Sequence, residues 1–293
     1  METSEILKEI RRIDIFTRKL VNQRLAGQYH SVFKGRGMNF DEVRPYQPGD
    51  EIRSIDWNVT ARTGDVYVKQ FVEERELTIY IMIDLSASMD FGLKTMRKQH
   101  LAARIAALLT FSAVKNNDRV SLITFSDRVM KFIPPKKGKK HVLRIIREIL
   151  GARAEGKTDI PLALEFLGRI AKRRGIVMLI SDFFEKDERA NLLERSLCVA
   201  ARRHDLIPVV IADPFEERLP QAGLFALEDP ETGGIFHMDT SVAAGGFFEE
   251  SGRIRARRET LFKKHRVDFI NLRTDGEYIK ALMNYFVLRG KRF

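Results

Sequence analysis

An α/β architecture, with a mostly parallel sheet covered by helices on both faces, is what this sequence predicts. Two observations carry that reading. From residue 77 onward, short apolar, β-branched runs alternate with helical stretches, as parallel strands joined by crossover helices do. Oxygen-bearing residues cluster directly after the ends of those runs, where open α/β sheets place their ligands.

Taken in order, residues 4–26 read as an amphipathic helix. Ile6, Ile10, Ile13, Phe16 and Leu20 recur at steps of three and four, Thr3 or Ser4 supplies a cap, and Glu5 suits the first turn. Residues 28–76 differ in character. Gly35, Gly37, Pro45, Pro48, Gly49 and Gly64 mark turns between short β-like runs such as 66–72, and charges are dense between Asp41 and Arg62. This gives three parts: a helix over 1–27, a small β-rich segment over 28–76 and the α/β domain over 77–290. The stretch from Arg44 to Arg62, with the only tryptophan at Trp57, reads either as a salt-bridged, partly buried junction or as a contact surface.

Within the α/β domain, strands are expected at 77–83, 119–125, 129–133, 176–180 and 206–212. Helices are expected at 93–115, 139–150, 160–173 and 188–203. Beyond Pro214, runs 224–227 and 235–238 around Asp229-Pro230-Glu231-Thr232-Gly233-Gly234 suggest a hairpin. A helix over 246–264, a strand over 267–272 and a helix over 276–288 close the pattern.

Hydrophobic residues make up 44% of the 293 and charged residues 31%, the balance of a globular chain with a core large enough to fold without metal or disulfide. The single cysteine, Cys198, excludes an internal disulfide and reads as a small buried hydrophobe. The N-terminus lacks the apolar core of a signal peptide. The longest apolar helical stretch, 101–114, contains Arg104 and is shorter than the ~20 residues a membrane helix needs. A cytoplasmic protein with no transmembrane segment is expected. The net charge of +11 is spread over runs at 136–140, 253–258 and 263–266, read first as solvated faces and second as attraction for an acidic protein surface. Without a helix-turn-helix, zinc-finger or RNA-binding aromatic signature, nucleic acid is the least favoured partner.

Three oxygen-rich loops stand out. Strand 77–83 runs into Asp84-Leu85-Ser86-Ala87-Ser88, strand 176–180 into Ser181-Asp182, and Gly156-Lys157-Thr158-Asp159 precedes a helix. Hydroxyls at alternate positions of an extended turn, Ser86 and Ser88, point the same way, and Thr158 adds a third oxygen. Asp84 and Asp182 supply negative charge directly or through water. A hard divalent cation prefers such oxygen donors, and few direct carboxylates leave it electrophilic towards an outside carboxylate. By itself the Asp-x-Ser-x-Ser turn is equally a helix cap; the three loops together make the metal reading.

The set Asp84, Ser86, Ser88, Thr158 and Asp182 resembles the metal-ion-dependent adhesion site (MIDAS) of von Willebrand factor A domains. The flanking Arg44-Pro45-Tyr46-Gln47-Pro48-Gly49-Asp50, Ile55-Asp56-Trp57, Ala61-Arg62 and Asp213-Pro214-Phe215-Glu216-Glu217-Arg218-Leu219-Pro220 resemble a bacterial family known as domain of unknown function number fifty-eight. The resemblance implies a Rossmann-like A domain and Mg²⁺ (or Mn²⁺) as the metal. Ser86, Ser88 and Thr158 would be its ligands, with Asp84 and Asp182 as outer carboxylates. It also implies an adaptor role beside a MoxR-type AAA+ ATPase, acting on a client complex.

Other chemistries are weaker. Gly151 to Thr158 spells a P-loop, yet Gly151 falls at the end of an expected helix rather than after a strand, so nucleotide binding is not expected. The histidines are scattered, with no metal-spaced pair; His100, His141 and His265 are expected to be exposed. The rival readings are a metal-dependent hydrolase with Asp84 as nucleophile, weakened by serine at position 86, and a basic nucleic-acid-binding protein. No catalytic residue is assigned, and a non-enzymatic binding module is expected.

Overall fold

The computed structural model describes residues 38–73, 77–92, 96–184, 189–219, 223–229 and 233–290. The helix expected over 4–26 lies outside them. The described chain begins with an antiparallel pair, β1 (Met38–Pro45) and β2 (Tyr67–Glu73), linked by a short helix α1 (Trp57–Thr63). Of the 28–76 segment, the described residues 38–73 hold these two strands and the short helix between them. Arg44 holds Asp50 through two hydrogen bonds of 2.7 and 2.8 Å, and Asp56 caps α1 by accepting from the Asn58 and Val59 amides. Trp57, by contrast, is 65% exposed, so it is not part of a buried junction.

Six strands make the main sheet: β3 (Thr78–Asp84), β4 (Arg119–Phe125), β5 (Val129–Lys136), β6 (Ile176–Ser181), β7 (Asp205–Ala212) and, after a β8–β9 hairpin (Leu224–Glu228, Ile235–Asp239), β10 (Ile270–Arg273). Their order is β10-β7-β6-β3-β4-β5, parallel except for the antiparallel edge strand β5. Central strands β3 and β6 are buried along almost their whole length, which explains their unbroken apolar runs.

Period-two alternation sends side chains to two separate cores. Ile79, Ile81 and Ile83 face α2 (Lys98–Lys115), α3 (Lys139–Gly151) and α8 (Tyr278–Gly290) through residues such as Leu101, Ile105, Ile145 and Phe286. Tyr80 and Met82 face α4 (Ile160–Ile170), α5 (Ala190–Arg203) and the end of α7 (Thr240–Lys264) through Leu164, Leu197 and Phe262. This is the α/β class expected from the sequence, with helices on both faces.

Three local expectations need correction. Helix α7 starts six residues earlier than expected, because the Asp239 carboxylate caps it through the Ser241 amide and the Gly245-Gly246 pair is carried inside the helix. His141 is buried rather than exposed, its Nε2 lying 2.8 Å from the Val120 carbonyl. Cys198 is only half-buried.

Candidate metal centre

Strands β3 and β6 are adjacent and parallel, so their carboxyl ends bring Asp84 and Asp182 side by side although 98 positions separate them in the chain. The turn after β3 is fixed by backbone bonds to its neighbours. The Leu85 amide donates to the Phe125 carbonyl at 2.7 Å, and the Ala87 amide to the Gly156 carbonyl at 3.0 Å. Gly156 has φ +76°, and a Cβ there would sit 3.0 Å from the Asp127 carboxylate, so this loop needs glycine to pack on the turn. The P-loop-like letters 151–158 thus follow α3 and wrap the Asp84 turn, with no strand before them.

The five sequence-predicted residues converge. Thr158 Oγ1 lies 2.9 Å from Ser86 Oγ and 3.3 Å from Asp84 Oδ2, and Ser86 Oγ lies 3.1 Å from Ser88 Oγ. Ser88 Oγ donates to Asp182 Oδ2 at 2.7 Å. The three hydroxyls therefore form a chain strung between two carboxylates. Asp84, Ser86, Thr158 and Asp182 are buried, and Ser88 is half-buried.

Four participants had no role assigned from the sequence. Ser181 donates its hydroxyl to Asp84 Oδ2 at 2.6 Å and accepts from the Phe183 amide. Lys98, in the first turn of α2, is fully buried and donates to Asp182 Oδ2 at 2.7 Å and to Glu216. Glu216 in turn accepts from the Asp213 amide at 2.9 Å, closing a capping box in the short helix α6 (Pro214–Glu217). Arg258 of α7 also reaches the site, donating to the Asp182 carbonyl at 2.9 Å. The quoted Asp213–Pro220 motif held the signal for Glu216; nothing in the sequence marks Lys98 off from a solvated helix lysine.

Burial, and the Asp182 charge nearby, push Asp84 up to about 6 against an ordinary 3.8. Burial pushes Asp182 the same way, but the Lys98 ammonium, with Ser88 and the Phe184 amide, outweighs it and holds Asp182 below the usual carboxylate range. Lys98 is driven down by burial and more strongly up by its two carboxylates. For Glu216, burial and Asp182 prevail over the same lysine, and its proton affinity rises. The lysine thus favours the deeper carboxylate of its two partners.

The donor set suits a hard divalent cation: neutral hydroxyl oxygens between two buried carboxylates, one of them kept from ionising freely by burial and by the other's charge. Among the described residues no trio of His, Cys, Asp and Glu is placed to hold a metal, so a cation here depends on Ser86, Ser88 and Thr158.

A family model described as "Protein of unknown function DUF58" matches residues 42–259. The chain belongs to that family. The uncharacterized DUF58 relative Rv1480 of Mycobacterium tuberculosis is 29% identical over 296 residues, spanning 99% of this chain and 92% of its own. YeaD of Bacillus subtilis, also uncharacterized, is 23% identical over 181 residues, covering 61% of this chain and 41% of that one. Solved structures similar to this DUF58 chain include the conserved hypothetical protein BatB from Bacteroides thetaiotaomicron (TM-score 0.45, 16% identity, 73% of this chain and 99% of that one). Another is a von Willebrand factor type A protein from Catenulispora acidiphila (TM-score 0.34, 16% identity, 61% of this chain and 43% of that one). Likeness at that level says nothing about role. Among the described residues, no helix is long and apolar enough to cross a membrane.

Proposed function

We propose that this DUF58 protein is a non-enzymatic, metal-dependent binding module. Ser86, Ser88 and Thr158 would hold Mg²⁺ or Mn²⁺, with Asp84 and Asp182 supplying charge behind them, and the remaining position would accept a carboxylate from an acidic protein partner. One observation carries the reading: the unbroken hydroxyl chain Thr158–Ser86–Ser88 between two buried carboxylates at the carboxyl ends of adjacent strands. Neutral donors with few direct carboxylates leave a cation electrophilic, which suits gripping a ligand. Asp84 is fully buried and receives hydrogen bonds from the Ser86 amide and Ser181, with Thr158 close by. That saturation supports a supporting carboxylate over a nucleophile, and so favours binding over hydrolysis.

In this reading the partner is a MoxR-type AAA+ ATPase, as the sequence motifs imply. The two work in the cytoplasm on the maturation or remodelling of a client complex. The net charge of +11 would steer acidic surfaces to the site. A pull-down from a bacterial lysate containing such an ATPase, run with Mg²⁺ and with EDTA, tests the assignment. Recovery of the ATPase only with Mg²⁺, and its loss in Ser86→Ala/Ser88→Ala, is expected. Equal recovery in EDTA would remove the metal from the account.

A further inference from the structure

Lys98 is the only fully buried lysine among the described residues, and it lies against the carboxylate that backs the proposed metal. Its ammonium and the Ser88 hydroxyl both donate to the same atom, Asp182 Oδ2, each at 2.7 Å. The second carboxylate on the lysine, Glu216, is locked by its bond from the Asp213 amide, and Asp213 Oδ1 accepts from the Phe215 amide while Oδ2 accepts from Thr274. The ammonium is therefore fully buried and bridges two carboxylates, each held by hydrogen bonds of its own. A buried lysine is costly unless paired, so a fold that needed only an apolar plug at the start of α2 would not place one here.

Resting on the metal reading above, we propose that Lys98 is a built-in counter-cation that limits how tightly the centre holds a divalent ion. Asp84 and Asp182 would together offer two negative charges, and the Lys98 ammonium, shared with Glu216, offsets part of the one on Asp182. Two cations that share one carboxylate oppose each other, and at a few ångströms in a poorly solvated site that opposition is large. The consequence is a centre that binds metal weakly alone and gains when an acidic partner brings the missing charge. Metal and partner then strengthen each other's binding by the same factor. Lys98 acts through Asp182, which makes it a positioning and charge-setting residue rather than a ligand.

Calorimetric Mg²⁺ titration separates this role from a structural one, because the two predict opposite signs. Lys98→Met should bind Mg²⁺ more tightly than the unaltered chain, by at least about tenfold, and the charge-balanced Lys98→Met/Glu216→Gln should show a smaller gain. Unchanged or weaker binding in either folded variant overturns the proposal. A third arm follows the lysine itself: in the ¹⁵N-lysine-labelled protein, the ammonium signal of Lys98, assigned by its loss in Lys98→Met, should shift on adding Mg²⁺. If that signal stays still while Mg²⁺ binds, the proposal fails. Absence of Mg²⁺ binding in the unaltered chain and both variants overturns the metal reading itself. Equal binding in all three overturns only the role of Lys98.

Discussion

Asp84 shows how one side chain's surroundings set the conditions under which the centre works. Its folded value of about 6 lies above the ordinary 3.8, so this group contributes most to stability below 3.8 and loses that contribution as pH rises through 6. Ionising it in the folded chain costs about 3 kcal/mol more than in the unfolded one, a difference a divalent cation would offset. A thermal-unfolding series with and without Mg²⁺ should show a metal-induced rise at pH 7.5 that shrinks through pH 6 and is gone near pH 5. A shift of constant size across that range would contradict the role given to Asp84. The predicted set Asp84, Ser86, Ser88, Thr158 and Asp182 was legible because each residue follows a strand or precedes a helix in a recognisable α/β pattern. Lys98 was not, and Ser181 and Glu216, though inside quoted motifs, showed no role, because the roles of all three come from burial and from contacts across 84 to 118 positions of sequence.

Among the elements, caps do much of the positioning. Asp159, next to Thr158, caps α4 by accepting from the Leu162 amide at 3.0 Å and is tied to Arg189 at 2.7 Å. Asp159→Ala should cost about 1–2 kcal/mol in urea denaturation; a loss below about 0.3 kcal/mol would show that the cap does not hold this helix. In the N-terminal segment the two readings of Arg44–Arg62 part company. Asp56→Ala removes the cap of α1 and should destabilise by about 1 kcal/mol. Trp57→Ala, at a side chain 65% exposed, should stay within about 0.5 kcal/mol. A large loss at Trp57 would restore the buried-junction reading. Strand and helix existence could be read from periodicity, while boundaries could not: the start of α7 was hidden because a Gly-Gly pair weighs against helix locally, whereas Asp239 and the hairpin before it fix the entry.

For the molecule as a whole, sheet order explains why distant loops meet. Crossovers on both faces leave β3 and β6 adjacent at the centre, with the β4 end and the Gly156 loop closing one side and α6 the other. Fold class and the meeting of the five residues were within reach of the sequence because both follow from strand alternation. The exact strand order and the lysine bridge to α6 needed three dimensions. The charge of +11 also invites nucleic acid, and the account expects no such binding beyond the salt-sensitive, non-specific kind. Fluorescence anisotropy with DNA or RNA should decay to baseline near about 150 mM salt, where exposed charges are screened beyond ~8 Å. Retained, sequence-selective binding there would move the function to nucleic acid. Calorimetric Mg²⁺ titration of the unaltered chain beside Ser86→Ala/Ser88→Ala decides whether these hydroxyls hold a metal. A single saturable site is expected in the first and none in the second, with both equally folded. Binding of equal strength in both, or in neither, would contradict it.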